Sequence, residues 1–160
     1  MSRVTQLLTA IDQGYRKKAW HGPNLRGALR GVDADTAVWR PAPERNNIHE
    51  LVVHLAYWKR SLIRRFDREA AGSFPYPGSN FFPRNEPDAK LLKADIKLLD
   101  TYHKIFRDLV ADLDDDSLDL PAPNSKETAF YLIFGCPAHD IYHAAQIQLL
   151  KRMCEAATAV

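Results

Sequence analysis

The most constraining feature of the sequence is an apolar stripe of helical period in its second quarter. Asn47 can cap a helix there, and Glu50, three residues later, completes the pattern of a capping box. The apolar residues that follow recur three and four positions apart, at Ile48, Leu51, Leu55, Trp58, Leu62 and Phe66. Such a stripe buries one side of a helix against other helices. The spacing predicts a helix from residue 47 to about residue 69 that packs in a helical bundle.

Three more segments of the chain have a similar period. The first covers residues 4–17 and has its stripe at Val4, Leu7, Leu8, Ile11 and Tyr15. The next covers about residues 86–113 and has its stripe at Leu92, Ile96, Leu99, Phe106, Val110 and Leu113. The last covers about residues 128–156. Because no segment alternates with the period of a strand, the pattern predicts an all-α four-helix bundle, formed as one domain by residues 1–160.

Between the second and third long helices lies a segment that cannot form a regular helix. It covers residues 71–88 and contains Gly72, Pro75, Pro77, Gly78, Pro83 and Pro87. A fully extended chain of that length reaches about 60 Å, whereas the second long helix is about 33 Å long. The linker can therefore cross the bundle from end to end. This predicts that the second and third long helices run parallel.

The charges of the chain are balanced. There are 22 Lys and Arg against 20 Asp and Glu, which gives a formal net charge of +2. The two signs are mixed along the sequence, so electrostatics give no support for nucleic-acid binding. One basic series fits the solvated side of the second long helix better than a phosphate-binding track, and it consists of Lys59, Arg60, Arg64, Arg65 and Arg68.

The sequence also favours a cytoplasmic protein. Its first residues contain no apolar leader segment, and no later stretch approaches the roughly eighteen apolar residues that a membrane span needs. Cys136 and Cys154 lie on one predicted helix, about 27 Å apart along its axis, and cannot form an intrachain disulfide. This agrees with a reducing compartment.

Two histidines in the last long helix form the first candidate site. His139 and His143 are four residues apart, so both imidazoles project from one side of the helix and can chelate one metal ion. That side is predicted to face inward, because it is shared with Leu132, Gly135, Gln146, Leu150 and Met153. Buried histidines that are satisfied by hydrogen bonds would give the same pattern, so both interpretations stay open.

A metal site would need a third ligand, because two imidazoles rarely hold an ion alone. The candidate is His54, at the edge of the apolar stripe of the second long helix. His103 lies on the stripe of the third long helix and is predicted to pack in the core. His49 and His54 look like the H-E-x-x-H motif of metalloproteases, but they are five residues apart, about 140° on a helix, and cannot chelate together. We expect His49 on the outside or at a helix contact.

Several segments of the sequence resemble the DinB-like family, namely Glu50–Trp58, His139–Ile147, Ala19–Pro23 and Trp39–Pro41. Members of that family are four-helix bundles with up-down-down-up connectivity, which agrees with the parallel pair predicted from the linker. They bind a divalent metal ion, often zinc or nickel, through three histidines. Carried over by position, these ligands are His54, His139 and His143.

The resemblance also implies an activity on a small molecule. Some relatives are thiol-dependent transferases or isomerases that use a low-molecular-weight thiol, and others are described as metal-dependent hydrolases. The family suggests a homodimer. Gln146 and Tyr142 could orient a substrate or support a ligand, but either is equally a core residue, and no residue stands out as a general acid or base. The chain departs from the family at Ala145, where a glycine is common, and at Pro137, which lies unusually close to the ligands.

A non-catalytic protein is the alternative function. A metal held only for stability, or in a sensor or dimerisation module, would have closed coordination with a fourth protein ligand, such as His103 or His49. An enzyme keeps one coordination position open. The surroundings of the three histidines therefore decide between the two classes.

Overall fold

The computed structural model describes residues 1–159, and within that range it is all-helical, which confirms the prediction of an all-α fold. One short 3-10 helix, Asp116–Asp119, accompanies seven α-helices. These are α1 (Arg3–Tyr15), α2 (Leu25–Ala28), α3 (Ala34–Val38), α4 (Ile48–Phe66), α5 (Arg68–Ala71), α6 (Ala89–Ala111) and α7 (Ala129–Thr158). No helix in the described range is long and apolar enough to cross a membrane.

Polar side chains fix where the long helices begin. Ser2, Asp88 and Thr128 each accept a hydrogen bond from a backbone N–H in the first turn of α1, α6 and α7. The predicted capping box of α4 is present, since Asn47 accepts from the Glu50 N–H and the Glu50 carboxylate accepts from the Asn47 N–H. Local sequence therefore sets these boundaries.

Contacts at both ends of α4 and α6 give their relative direction. His49, near the start of α4, contacts Asp95, near the start of α6. Phe66, the last residue of α4, packs edge to face on Phe106 in the second half of α6. These two helices therefore run in the same direction, and the loop between them returns the chain to the end from which α4 started.

The first and last long helices also run in the same direction. Arg3, at the start of α1, lies over the ring of Phe130 at the start of α7. Gly14, near the end of α1, meets Pro137. A Cβ atom at Gly14 would lie 3.2 Å from the Pro137 carbonyl oxygen, so any side chain here would push the two helices apart by a few tenths of an ångström.

Lys59 corrects the sequence-based prediction for the basic series. It does not lie on the solvated side of α4, since only 2% of its side chain is exposed. Its Nζ donates to Asp140 Oδ2 of α7 at 2.7 Å and to Cys136 Sγ at 3.2 Å. Burial alone would lower the pKa of Lys59, but the nearby Asp140 carboxylate outweighs it and raises that pKa, so the amine stays charged. A buried acceptor on the facing helix explains why a basic residue lies inside.

The buried side of α7 also differs from the prediction. Of the residues expected to face inward, His143 and Leu150 are buried, but Gly135 and Met153 are exposed and Leu132 and Gln146 are only half-buried. The side that is buried is rotated by roughly a quarter turn, and it carries Ile133, Cys136, Asp140, Ala144, Ile147 and Cys154. The reason is that α7 is apolar on nearly every side, so apolarity alone does not identify its buried face. Both cysteines are free, as predicted.

The loop between α5 and α6 is held against the bundle by one buried carboxylate. Asp95 accepts hydrogen bonds from His49 Nε2 at 2.8 Å, from the Tyr76 hydroxyl and from Arg84 Nε at 2.9 Å. Burial would raise the pKa of Asp95, but these three donors together lower it below its ordinary value. Two of the donors belong to the loop, so a segment rich in proline and glycine is fixed in place.

Asp95→Ala should destabilise the protein by about 3 kcal/mol, because it leaves the buried His49 and the largely buried Arg84 without their acceptor. Urea denaturation gives the free energy of unfolding. Asp108→Ala, which removes an exposed partner of Lys104 on the same helix, is the matched control and should leave that free energy nearly unchanged. Equal effects of the two substitutions would contradict the anchoring role of Asp95.

Candidate metal centre

Three histidines from two helices meet at one point. His54 comes from α4, and His139 and His143 come from α7. The Nε2 atom of His139 lies 3.3 Å from Nε2 of His54 and 2.9 Å from Nε2 of His143. The three candidate ligand atoms all lie within 4.8 Å of one another. We call these residues the histidine cluster.

Hydrogen bonds at the far nitrogens fix the tautomers of two of these rings. His54 Nδ1 lies 2.9 Å from the Asn80 carbonyl oxygen, and His143 Nδ1 lies 2.7 Å from Gln146 Oε1. Both oxygens can only accept, so both Nδ1 atoms carry the hydrogen and donate it. The Nε2 lone pairs are thus left facing the common point. This is how metal-binding imidazoles are usually oriented in proteins.

The donor set of the histidine cluster fits a divalent metal ion. Three nitrogen ligands about 2.0–2.1 Å from an ion in tetrahedral geometry lie about 3.3 Å from one another. The 3.3 Å separation between His54 and His139 matches this spacing, and the 2.9 Å separation between His139 and His143 is slightly shorter. Neutral imidazoles suit zinc and nickel alike.

The surroundings of the histidine cluster lower the pKa of all three imidazoles. Burial lowers the pKa of His139 to about 3, and repulsion from the neighbouring imidazoles acts in the same direction. Burial also lowers the pKa of His143 to about 4, although Gln146 opposes the shift. The pKa of His54 is lowered as well, again chiefly by burial. Near neutral pH all three rings therefore present lone pairs rather than protons.

The loop that precedes α6 forms one wall around His54. Phe81 stacks on the imidazole, with the ring centroids 4.2 Å apart. Asn80 has a positive φ of 67°, and its side-chain oxygen accepts a hydrogen bond from the Trp58 indole at 2.9 Å. Sequence reasoning missed Asn80 and Phe81, because they lie in a loop without periodicity and neither is a typical ligand. The only local signal is that asparagine tolerates a positive φ better than most residues.

A cleft of about 780 Å³ opens beside the histidine cluster. Its walls are mainly apolar, with Leu149, Tyr142 and Phe81 exposed to it, and Gln146 lies at its edge. Tyr142 is 60% exposed and is therefore a wall residue, not a core residue. Gln146 supports His143, which is the supporting role considered for it. A cleft of this size and composition is suited to a small organic molecule.

Neither alternative histidine reaches the cluster. His49 is buried at the contact between α4 and α6, where it donates to Asp95. His103 is stacked on Tyr15 with the ring centroids 3.5 Å apart, and burial lowers its pKa to about 2. Both findings agree with the packing role predicted for His103 and the helix contact predicted for His49.

A buried polar group lies directly behind the cluster. Asp140, between the two histidines of α7, is paired with Lys59, and Cys136 is the second partner of that amine. Burial raises the pKa of the Cys136 thiol to about 11, so it is protonated and not a nucleophile at neutral pH. This group links α4 to α7, and Lys59 and Cys136 also line a cavity that borders His139.

Gln146→Leu should weaken metal binding about 10- to 100-fold, because it removes the acceptor that orients His143. The thermal melting temperature of the metal-free protein should change little, since Gln146 is only half-buried. Isothermal titration with Zn²⁺ measures the affinity. Gln148→Leu replaces the same residue type outside the cluster and should leave the affinity unchanged. An unaltered affinity in Gln146→Leu would refute the supporting role.

Zinc affinity should fall much less from pH 7 to about pH 5 than it would with three ordinary imidazoles, which have a pKa near 6.5 and would be mostly protonated at pH 5. The reason is that the pKa values of His139 and His143 are lowered to about 3 and about 4, so protons compete with the ion only in more acidic solution. Equilibrium dialysis at several pH values measures this. An affinity that falls below pH 6.5 as steeply as competition by three protons requires would show that the rings titrate normally.

Comparison with known proteins identifies the family of this chain. The sequence profile described as the DinB superfamily matches residues 19–147, a range that includes all three histidines of the cluster and most of the chain. No curated protein and no solved structure gives a significant match. The profile confirms the resemblance found in the sequence motifs around His54 and His139. The chain belongs to the DinB superfamily.

Proposed function

We propose that this protein is a metal-dependent enzyme that binds a divalent ion, zinc or nickel, through His54, His139 and His143. The reaction would be a thiol-dependent transfer or a hydrolysis of a small molecule. The observation that carries the proposal is the position of the histidine cluster, whose three nitrogens converge beside a cleft of about 780 Å³.

The surroundings of the cluster support an enzyme over a structural metal site. A structural site is closed by a fourth protein ligand, whereas a catalytic site has three protein ligands and one open position. Among residues 1–159, the cluster contains no fourth histidine, cysteine, aspartate or glutamate ligand. His49 and His103, the two alternatives, are committed to Asp95 and Tyr15. The remaining side of the cluster is available to a substrate.

Different residues of the site would bind the metal ion, orient its ligands and surround the substrate. The three imidazoles hold the ion, and Asn80 and Gln146 hold two of the imidazoles in position. Apolar walls at Tyr142 and Phe81 would exclude water from a bound substrate. When bound, the ion would act as a Lewis acid and lower the pKa of a water molecule or thiol toward neutrality.

The proposal also covers the helix connectivity, the assembly and the cellular location of the protein. We infer an up-down-down-up four-helix bundle, supported by the parallel directions of α4 with α6 and of α1 with α7. Residues 1–160 would form one domain. A homodimeric assembly, a cytoplasmic location and a low-molecular-weight thiol as cosubstrate remain predictions.

His143→Ala should abolish metal binding, since His54 and His139 alone supply only two ligands. The helices should still form, because their apolar seams bury a core that does not include the ion. Metal analysis gives the stoichiometry, circular dichroism gives the helical content, and a screen of thiol-transfer and hydrolysis reactions gives the activity. Activity should disappear while the helical signal remains.

His21→Ala is the matched control, because His21 is exposed and lies outside the cluster. It should keep the metal stoichiometry and activity of the wild type. Chelation of the wild type provides a second test. If removal of the ion at ambient temperature abolishes the helical signal, the metal is structural and the non-catalytic alternative holds.

A further inference from the structure

Three arginines at the end of α4 and the start of α5 have no anionic partner in the protein. Within residues 1–159, no carboxylate oxygen lies within 4.0 Å of the guanidinium groups of Arg64, Arg65 or Arg68. The other members of the basic series are engaged, since Lys59 pairs with Asp140 and Arg60 donates to the Gly72 carbonyl. We call the three free residues the arginine cluster.

The arginine cluster is exposed and lines a concave pocket. The pocket has a volume of about 420 Å³, and its other walls include Trp58, Ser61 and Asn124. None of its lining residues is acidic. The backbone N–H of Asn124 donates to the Arg65 carbonyl oxygen at 2.8 Å, which holds the loop before α7 against the end of α4. Three positive charges and a side-chain amide thus face one concave space.

A second cavity connects this pocket to the histidine cluster. It has a volume of about 240 Å³, and its lining includes Trp58, Ser61 and Arg65 of the arginine pocket together with His139 of the histidine cluster. His139 also lines the cleft beside the metal centre, and Arg65 also lines the arginine pocket. The three spaces therefore share lining residues and follow one another along α4, and we refer to them together as the groove. From His54 to Arg65 this groove spans about 16 Å along the helix axis.

We propose that the arginine cluster binds the anionic end of an elongated substrate or cosubstrate whose reacting end lies at the histidine cluster. The anion is a phosphoryl group or a pair of carboxylates, since guanidinium groups match both in geometry and charge. The indole of Trp58, which is 45% exposed between the two ends, contacts the middle of the ligand. This inference rests on the proposed function, because it assigns the reacting end to the metal centre.

Matched pairs of thiols test the proposal with Co²⁺-loaded protein, in which coordination of a thiolate changes the absorption spectrum. Coenzyme A is compared with pantetheine, which lacks the phosphates, and glutathione is compared with its diethyl ester, which lacks both free carboxylates. The charged member of at least one pair should bind about tenfold more tightly than the neutral member. The pair that shows the preference identifies the anion as phosphoryl or carboxylate.

The variant R65Q/R68Q should reduce that preference to less than about threefold, because two charge-assisted contacts are lost. Arg152→Gln removes an exposed arginine from α7, outside the groove, and should keep the full preference. The variant R65Q/R68Q should also bind Co²⁺ normally, since neither arginine belongs to the histidine cluster. A preference absent from both pairs, or one that survives in R65Q/R68Q, would overturn the proposal.

A separate measurement distinguishes this proposal from the proposed function. If neither 2-mercaptoethanol nor any larger thiol changes the cobalt spectrum, the thiol-dependent reaction is ruled out. The arginine cluster is then tested in the metal-free full chain by isothermal titration with pyrophosphate and with citrate. One of the two should bind, and R65Q/R68Q should weaken that binding about tenfold. Binding of neither anion would overturn the anion site itself.

Discussion

The buried ion pair between Lys59 and Asp140 joins the two helices that carry the histidine cluster. Both side chains are almost completely buried, and Asp140 directly follows His139 in the sequence. Removing two charges from water is costly, and the attraction between them repays the cost only when the geometry is good. The pair therefore adds little to the net free energy of unfolding. Its effect is on register, because sliding α4 along α7 would separate the charges, and it would also move His54 away from His139.

A second buried charge determines the other wall of the site. Asp95 fixes Tyr76 and Arg84, and the residues between them include Asn80 and Phe81, which orient and cover His54. The loop before α6 is thus both a connection between two parallel helices and part of the candidate metal centre. The connection between the two helices explains why the loop is long. Its contact with His54 explains why the loop is held in one conformation. Long loops in compact domains usually have such a functional reason.

The all-α class, the helix caps and the pairing of His139 with His143 could be predicted because each depends on local spacing, whereas His54 was predicted from the edge of an apolar stripe and from the family resemblance. A four-residue interval places His139 and His143 together on any α-helix, and Asn47 caps α4 through its own neighbours. Lys59 could not be predicted as buried, because its partner lies on another helix. The buried side of α7 was misjudged because its exposed residues are apolar too, as at Phe134 and Leu149. Loop residues that touch His54 carry no periodic signal.

The support of His54 by a main-chain carbonyl has a consequence for how this protein can change during evolution. Every residue type at position 80 would have this main-chain carbonyl. Selection for a particular side-chain chemistry therefore does not act on the hydrogen bond that supports His54. What selection can act on is the left-handed backbone, with φ at 67°, that aims the carbonyl at the ring. Asparagine and glycine adopt this conformation most readily. Among descendants of this sequence, substitutions at position 80 should therefore favour residues that tolerate a positive φ, such as asparagine, aspartate and glycine, and a β-branched residue there should coincide with loss of the site.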